Sequence, residues 1–290
     1  MQIVTVAAVA PMQQTELRPG ATIRQSLLAE DASDGLNFRL FRSQYLSGAA
    51  AFESPRHRHA FQQVRWTESG SVNYGPGENI PEGDIAYFPR GAHYGPQRKD
   101  HGVGWLLQLG FNGEQQSGPK WDSLREPAIQ RLKARGSIER GMFVERDAVS
   151  GKSIEMDIAQ ALYQERYTMH TNQQFVVPEP RYASPVLMHT QVFDYFPVKP
   201  GIEAKCLGRF FDYPGLHADL SISTMRFSGN ASHGLAAERA QIGWAKQAGL
   251  RVGGETYPAM TCFYSPRFEE HAVSGVQGLE IFLLEMPRLD

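Results

Sequence analysis

Short segments in which apolar and polar side chains alternate fill the N-terminal part of the chain. Residues 35–42 alternate in this way, residues 83–91 read as a turn, a strand and a turn, and residues 105–111 supply another strand. Alternation with a period of two is typical of a β-strand with one buried face. Many short strands, about ten residues apart and separated by Gly and Pro, indicate an antiparallel sandwich or barrel. The fold class is therefore predicted to be all-β.

A second strand-rich region, which begins at residue 202, repeats landmarks of the first in the same order. Gln63 lies 26 positions before Pro89, and Gln241 lies 25 positions before Pro266. Three further segments recur in order: Gly35-Leu36-Asn37 as Gly215-Leu216-His217, Ser47-Gly48-Ala49 as Ser228-Gly229-Asn230, and Gln63-Val64-Arg65-Trp66 as Gln241-Ile242-Gly243-Trp244. Nearly constant spacing favours an internal duplication, and chance similarity between two β-domains is the open alternative.

The middle of the chain has a different pattern. Apolar residues recur at helical spacing in residues 123–135 and again in residues 154–167, which predicts two amphipathic helices. A chain of 290 residues is long enough for two domains. We expect an N-terminal domain over residues 1–112, a connecting segment with helices over 113–200 and a C-terminal domain over 201–290.

Composition and charge exclude several classes of protein. The net charge is −2, and no run of five or more basic residues suggests a nucleic-acid surface. Cys206 and Cys262 are the only cysteines and lie far apart, which fits a reducing compartment without disulfides. No 18-residue apolar window predicts a membrane helix, and the N-terminus lacks the basic segment of a signal peptide. We expect a soluble, cytoplasmic protein whose partner is a small molecule, and homodimer formation stays open.

The spacing of His57, His59 and Gln63 suggests a metal site. On a β-strand all three side chains would lie on the same face, because successive side chains alternate between faces. Neutral imidazole is a good ligand for Zn, Cu, Fe and Ni, and a carboxamide oxygen is a weaker one. Since the spacing alone does not require a metal, surface histidines are the alternative interpretation.

Glycines and a proline downstream extend this spacing into a family resemblance. The motif reads, in order: His57-x-His59, Gln63, Gly70, Gly83 and Pro89-x-Gly91. It resembles the two signature motifs of the cupin superfamily, directly over residues 35–112 and through the repeat over 200–288. The resemblance implies a bicupin, with two double-stranded β-helix (jelly-roll) barrels and a few connecting α-helices.

The sequence departs from the family pattern at two ligand positions. The family usually has Glu at the position of Gln63, and its third histidine falls at Tyr94. His93 stands one residue earlier, where a regular strand would present the opposite face, and His101 is a further candidate. Which of His93, Tyr94 and His101 completes the site stays open. The resemblance implies a divalent metal ion, Fe, Mn, Ni, Cu or Zn, held by the following residues: His57, His59, Gln63 and His93.

The second repeat has lost the histidine pair. Leu235 and Ala237 occupy the positions of His57 and His59, while His271 alone remains near the third ligand position. The C-terminal barrel is therefore predicted to be degenerate and to lack a metal.

Three residues are candidates for catalysis. Arg65 shares the strand face of Gln63, where its fork suits a substrate carboxylate or enolate, and an internal ion pair is the alternative. Tyr87 is a candidate phenol donor, with a structural core tyrosine as the alternative, and Tyr94 stands at the position of the missing histidine. The resemblance implies a metal-dependent, dioxygenase-like enzyme that acts on an enolisable or aromatic oxygenated molecule. A metal-assisted cyclase, isomerase or lyase, and a non-catalytic small-molecule-binding bicupin, are the alternatives.

Overall fold

The structure, a computed structural model, describes residues 1–14, 17–31, 35–111, 114, 118–146, 151–229 and 231–289. The chain divides into two compact units, one of residues 11–187 and one of residues 1–10 together with 188–290. These boundaries differ from the predicted ones at the N-terminus and in the connecting segment. Strand Gln2–Thr5 pairs antiparallel with strand Thr261–Ser265, which places the start of the chain in the C-terminal barrel. The segment from 113 to 187 belongs to the first unit.

The first unit is built around a seven-stranded sheet. Its strands lie in this order: Val186–Met188, Ile85–Phe88, Gln62–Ser69, Val103–Phe111, Leu36–Tyr45, Thr22–Asp31 and Met12–Gln14. Two strand pairs accompany it: Phe52–Ser54 with Gln97–Lys99, and Ser71–Gly75 with Glu78–Pro81. Side chains of the large sheet and of the Phe52–Ser54 pair line one cavity, so the barrel has a hollow interior between its layers.

Strand pairing determines which side chains point into this interior. Residues that are directly opposite each other in an antiparallel pair lie on the same face of the sheet. Gln63 is opposite Phe88 on one neighbouring strand and Gln108 on the other. Arg65 is opposite Ala86 and Leu106 in the same way. The row formed by Gln63, Phe88 and Gln108 and the row formed by Arg65, Ala86 and Leu106 are therefore adjacent on the interior face.

The connecting segment forms a small helix-and-sheet layer. Its elements are strands Gly136–Glu139, Met142–Arg146 and Ser153–Asp157 and helices Pro119–Ser123, Arg125–Arg135 and Ile158–Thr171. Among the described residues, no helix has the length and apolar character needed to cross a membrane. The helix predicted over 123–135 is confirmed. The second begins later than predicted because residues 153–157 form a strand, and Asp157 caps the helix by accepting a hydrogen bond of 3.0 Å from the backbone of Gln160.

The second unit repeats the sheet order of the first. Its seven strands lie in this order: Gln2–Thr5, Thr261–Ser265, Gln241–Ala245, Glu280–Glu285, Leu220–Phe227, Ile202–Phe210 and Phe196–Lys199. A four-stranded sheet accompanies it: Ser232–Gly234, Ala272–Gly275, Leu250–Val252 and Glu255–Tyr257. Gln241 is opposite Ser265 just as Gln63 is opposite Phe88, and a proline follows each partner. The repeated sequence therefore occupies the same place in both sheets.

An apolar core fills the second barrel where the first is hollow. Gly243 corresponds to Arg65, and the Phe263 ring covers the space that a side chain at Gly243 would occupy. Leu235, at the position of His57, joins the same cluster, which consists of Ile202, Ala204, Met225, Phe227, Leu235, Ala245, Leu250, Phe263, Val273, Leu279, Ile281 and Leu283. His271 lies 2.6 Å from a carboxylate oxygen of Glu269. Apolar side chains therefore occupy the interior of the second barrel.

Candidate functional site

A cavity of about 590 Å³ opens inside the first barrel. Strands of both layers line it, and helices Pro119–Ser123, Arg125–Arg135 and Ile158–Thr171 contribute side chains on one side. A volume of this size suits a small organic molecule. Five of the residues singled out in the sequence line it: His57, His59, Gln63, Arg65 and Tyr94.

Arg65 lies at the centre of a buried hydrogen-bond network. Its Nε and Nη2 donate to Oε1 of Gln63 at 3.1 and 2.8 Å, and Nη2 also donates to the Tyr94 hydroxyl at 2.9 Å. Nε2 of Gln63 donates to the same hydroxyl at 3.2 Å. The guanidinium carbon lies 4.0 Å from the centre of the Phe88 ring. A permanent cation is thus held by neutral partners in the interior of the barrel.

Tyr94 enters this network because of the turn at Gly91. Tyr94 and His57 exchange backbone hydrogen bonds of 3.0 Å, which makes them directly opposed residues that share a face. His93 therefore points away, and its side chain is exposed. The predicted ligand His93 lies outside the cavity, and His101 is also exposed beside Asp100, so the position of the third histidine is held by Tyr94.

Tyr87 also lies outside the cavity, contrary to its predicted role. It is opposite Val64, and its hydroxyl donates to Oε1 of Gln62 at 3.2 Å. Val64 and Gln62 have the opposite parity to Gln63 and occupy the outer face of the same strand. Tyr87 therefore has the structural role that was the alternative interpretation, because its pairing with Val64 places it on the outer face of the sheet.

The two histidines are held in their neutral form. Burial, together with the charge of Arg18, lowers the pKa of both rings well below its usual value, and Arg65 adds to the effect. Nδ1 of His57 lies 2.7 Å from the carbonyl oxygen of Pro55. Because a carbonyl can only accept, Nδ1 carries the proton and Nε2 keeps its lone pair.

Positive side chains dominate the cavity wall. Seven cationic residues line it: Arg18, Arg24, Arg39, Arg65, Lys99, Arg125 and Arg166. Among the described residues, Asp122 is the one acidic side chain of the lining, and it contacts Arg39 and Arg166 at 3.4 and 3.5 Å. The sequence pattern missed all of these except Arg65, because they come from distant strands and helices. The lining favours an anionic ligand.

Aromatic side chains form the wall beside the helices. His59 stacks on Phe61 at 4.6 Å between ring centres, and Phe61 lies 6.1 Å from Tyr163. The ring centres of Trp121 and Tyr163 are 5.1 Å apart, and the guanidinium carbon of Arg166 lies 4.1 Å from the centre of the Trp121 ring. The helix side of the cavity therefore combines aromatic rings with the charge of Arg166.

The donor set does not fit the predicted divalent metal ion. Within the described part of the chain, no three His, Cys, Asp or Glu side chains are placed to hold a metal. His57 and His59 are suitable donors, but Oε1 of Gln63 already accepts two hydrogen bonds from Arg65. A guanidinium adjoining the candidate ligands repels a second cation, and none of these ligands is a carboxylate that would offset this repulsion.

Comparison with solved structures shows which fold the chain adopts. No family model matches the chain, and no curated protein matches it. A candidate dioxygenase from Nostoc punctiforme is similar at 11% identity and a TM-score of 0.60, over 99% of this chain and 82% of that protein. An oxalate decarboxylase from Lactobacillus farciminis, in its formate complex, is similar at 12% identity and a TM-score of 0.54, over 100% and 87%.

The oxalate decarboxylase from Bacillus subtilis is similar to the same extent. Its structure at pH 4.6 has 12% identity and a TM-score of 0.52, over 99% of this chain and 76% of that protein. At such low identity the similarity establishes the fold and not the activity. The oxalate decarboxylases are bicupins, and the present chain repeats one sheet order in two barrels. The chain therefore has the bicupin fold.

Proposed function

We propose that the first barrel is the active site of an enzyme that binds an anionic, oxygenated small molecule and transfers a proton on it. The observation that carries this proposal is the buried Arg65 guanidinium, which shares the cavity with the neutral rings of His57 and His59. A fixed cation and a neutral base in one cavity are the groups that enolisation of a carbonyl compound requires.

Arg65 binds and polarises the ligand. A carboxylate or an enolate oxygen forms short, charge-assisted hydrogen bonds with a guanidinium. Gln63 and Tyr94 hold the guanidinium in place, so that the cation is oriented before the ligand arrives. The hydroxyl of Tyr94 accepts bonds from Arg65 and Gln63, which leaves its own proton for donation to a second oxygen of the ligand.

His59 is placed to act as the base. Its ring lines the cavity and is neutral at neutral pH, because burial and the charges of Arg18 and Arg65 lower its pKa. The ring takes a proton from the carbon beside the ligand carbonyl, and the electron pair of that bond moves to the carbonyl oxygen at Arg65. Return of the proton to another atom completes an isomerisation, and loss of a leaving group from the enolate completes an elimination. The first reaction is that of an isomerase, and the second is that of a lyase.

Deuterium exchange tests this proposal without knowledge of the natural substrate. Simple keto acids, 1,3-diketones and hydroxylated aromatic acids are incubated with the protein in D₂O, and exchange at carbon is followed by NMR. We expect catalysed exchange in at least one class and a loss of about a hundredfold in Arg65→Met, which corresponds to about 3 kcal/mol.

Two matched variants complete the experiment. Arg146→Met removes an exposed arginine at the end of a strand and is expected to keep full activity. His59→Ala is expected to lose exchange while it retains binding. If compounds bind but none of the three compound classes undergoes exchange, the catalytic proposal is contradicted and a non-catalytic binding protein remains. Neither binding nor exchange would contradict the assignment of the cavity altogether.

Metal-dependent dioxygenation is the second candidate. It is favoured by the geometry of His57, whose Nδ1 is held by a carbonyl so that Nε2 is free to ligate, as is usual for metal-binding histidines. The similarity to a candidate dioxygenase supports it at the level of fold only. The donor set, which does not fit a divalent ion, disfavours this candidate. A measurement of metal binding distinguishes dioxygenation from the proton-transfer reaction.

A further inference from the structure

We infer that the Arg65 guanidinium takes the place of a divalent metal ion in this barrel, and that Arg65 and Gln97 together bind one carboxylate of the ligand directly. The inference deepens the proposed function, because it rests on an anionic ligand in the same cavity. It concerns two donor atoms, Nη1 of Arg65 and Nε2 of Gln97, and it makes the site independent of metal.

The side-chain oxygen of Gln63 is already engaged by Arg65. This atom is the only oxygen donor that the candidate ligand set offers besides the Tyr94 hydroxyl, and it accepts hydrogen bonds from Nε and Nη2 of Arg65. A metal ion that used this oxygen would have to displace the guanidinium. Arg65 would then be a buried cation without its main partner, which is strongly unfavourable.

The charge of the site also disfavours a divalent ion. Imidazole and carboxamide groups carry no negative charge, so His57, His59 and Gln63 contribute nothing that offsets a dication. The nearby carboxylate of Asp157 is already paired with Arg18 through two hydrogen bonds of 2.9 and 2.6 Å. A divalent ion would therefore add two positive charges next to a buried one, whereas an organic anion neutralises the charge already present.

Gln97 lines the cavity and is only 4% exposed. Its Oε1 faces Nη1 of Arg65 at 3.5 Å, the outer limit of a hydrogen bond. The amide cannot be reversed, because its NH₂ group would then face the guanidinium. Nε2 is left as a buried donor without a hydrogen-bond partner among the described residues.

These two donors form a receptor for a carboxylate. Nη1 has two protons and directs one towards Gln97, so one proton remains. Nε2 of Gln97 belongs to the same carboxamide as the oxygen in this contact, and both of its protons are without a partner among the described residues. A buried donor without a partner costs about 1–3 kcal/mol, and a bound carboxylate that accepts from both groups removes that cost. The same atoms offer nothing to a metal cation.

Metal titration is the first test. Protein made without a polyhistidine tag is treated with EDTA, dialysed and titrated with Mn²⁺, Fe²⁺, Ni²⁺, Cu²⁺ and Zn²⁺ by calorimetry. We expect no binding of one equivalent that depends on His59. The double variant Gln63→Glu/Arg65→Leu supplies a carboxylate and removes the guanidinium, and we expect it to bind Mn²⁺ at least about tenfold more tightly. One equivalent bound by the unmodified protein and lost in His59→Ala would overturn the inference.

Binding of benzoate in EDTA is the second test, since benzoate is a carboxylate that chelates metals poorly. We expect benzoate to bind in EDTA and to lose about tenfold to a hundredfold in affinity in Gln97→Leu. Gln108→Leu is the matched control, because Gln108 lines the same cavity without a hydrogen bond to Arg65. Equal losses in the two variants would contradict the role of Gln97.

The two tests separate the inference from the proposed function. Benzoate binding that EDTA abolishes and Mn²⁺ restores would overturn metal independence, while the anion-binding function would stand. Failure of benzoate and of the other organic acids to bind under either condition would contradict the proposed function and, with it, the carboxylate receptor. In that case the metal titration would still show whether the site binds a metal ion through His59.

Discussion

The side-chain oxygen of Gln63 accepts two hydrogen bonds from Arg65, its neighbour two positions along the same strand. Each residue restricts the other, because rotation of either side chain would leave a buried cation or a buried amide without its partner. The pair has no counterpart in the second barrel. In the second barrel Gly243 stands in place of Arg65, and Phe263 fills the space.

Loss of the Tyr94 hydroxyl is predicted to weaken this network. Tyr94→Phe leaves one donor of Arg65 and one of Gln63 without an acceptor, and we expect the free energy of unfolding to fall by about 1–3 kcal/mol. Tyr74→Phe is the control, because Tyr74 is similarly buried and its hydroxyl has no hydrogen bond among the described residues. Urea unfolding of both variants measures the difference, and equal stability losses would contradict the network.

Tyr87 is predicted to contribute to stability and not to ligand binding. Its hydroxyl bonds to Gln62 on the outer face of the strand, so Tyr87→Phe should cost about 1 kcal/mol of unfolding free energy. Affinity for benzoate should stay within about twofold of the unmodified protein, because the ring does not line the cavity. Calorimetric titration checks this. A tenfold loss of affinity would show that the assigned strand face is wrong.

The turn at Gly91 is predicted to tolerate no larger residue. Gly91 has φ +72°, and a Cβ atom there would overlap the carbonyl oxygen of Pro178. Gly77 has almost the same φ, +73°, with no described atom within 4 Å of the equivalent position. Gly77→Ala should therefore cost about 1–2 kcal/mol through backbone strain alone. Gly91→Ala should cost about 2 kcal/mol more in urea unfolding, and equal costs would exclude the overlap.

Asp219 is predicted to make the second barrel sensitive to acid. Burial opposes ionisation of this carboxyl, but the hydrogen bond from Arg209 at 2.8 Å and the charges of Arg239 and Arg209 lower its pKa. Because the folded pKa lies below the unfolded value of about 3.9, the stabilisation is complete above pH 4 and is lost as the pH falls through the folded pKa.

Substitution of Asp219 tests this linkage. Asp219→Asn should cost about 1–3 kcal/mol at pH 7, a range that allows for the half-exposed side chain of Arg209. It should also flatten the decline in stability below pH 4. Hydrogen exchange of the amides in strand Leu220–Phe227 reports on the second unit by itself. The same steep decline in the variant would assign the acid sensitivity to other carboxyl groups.

The sequence by itself determined the local features of the site. Period-two alternation predicts that His57, His59, Gln63 and Arg65 face the same way, and the structure brings all four into the cavity. The repeat of Gln63 and Pro89 as Gln241 and Pro266 corresponds to equivalent positions in two sheets with the same strand order. These features depend only on residues close together in the chain or on a pattern that occurs twice.

Tertiary structure alone decided which residues meet these four. Tyr94 points inwards and His93 outwards because Tyr94 is paired with His57, and Tyr87 lies outside because it is paired with Val64. Gln97, Arg18 and the helix residues reach the cavity from separate elements, and strand Gln2–Thr5 joins the second barrel. The physical reason is that alternation is a property of one strand, whereas register and turn geometry between distant strands decide which residues are opposed across the sheet.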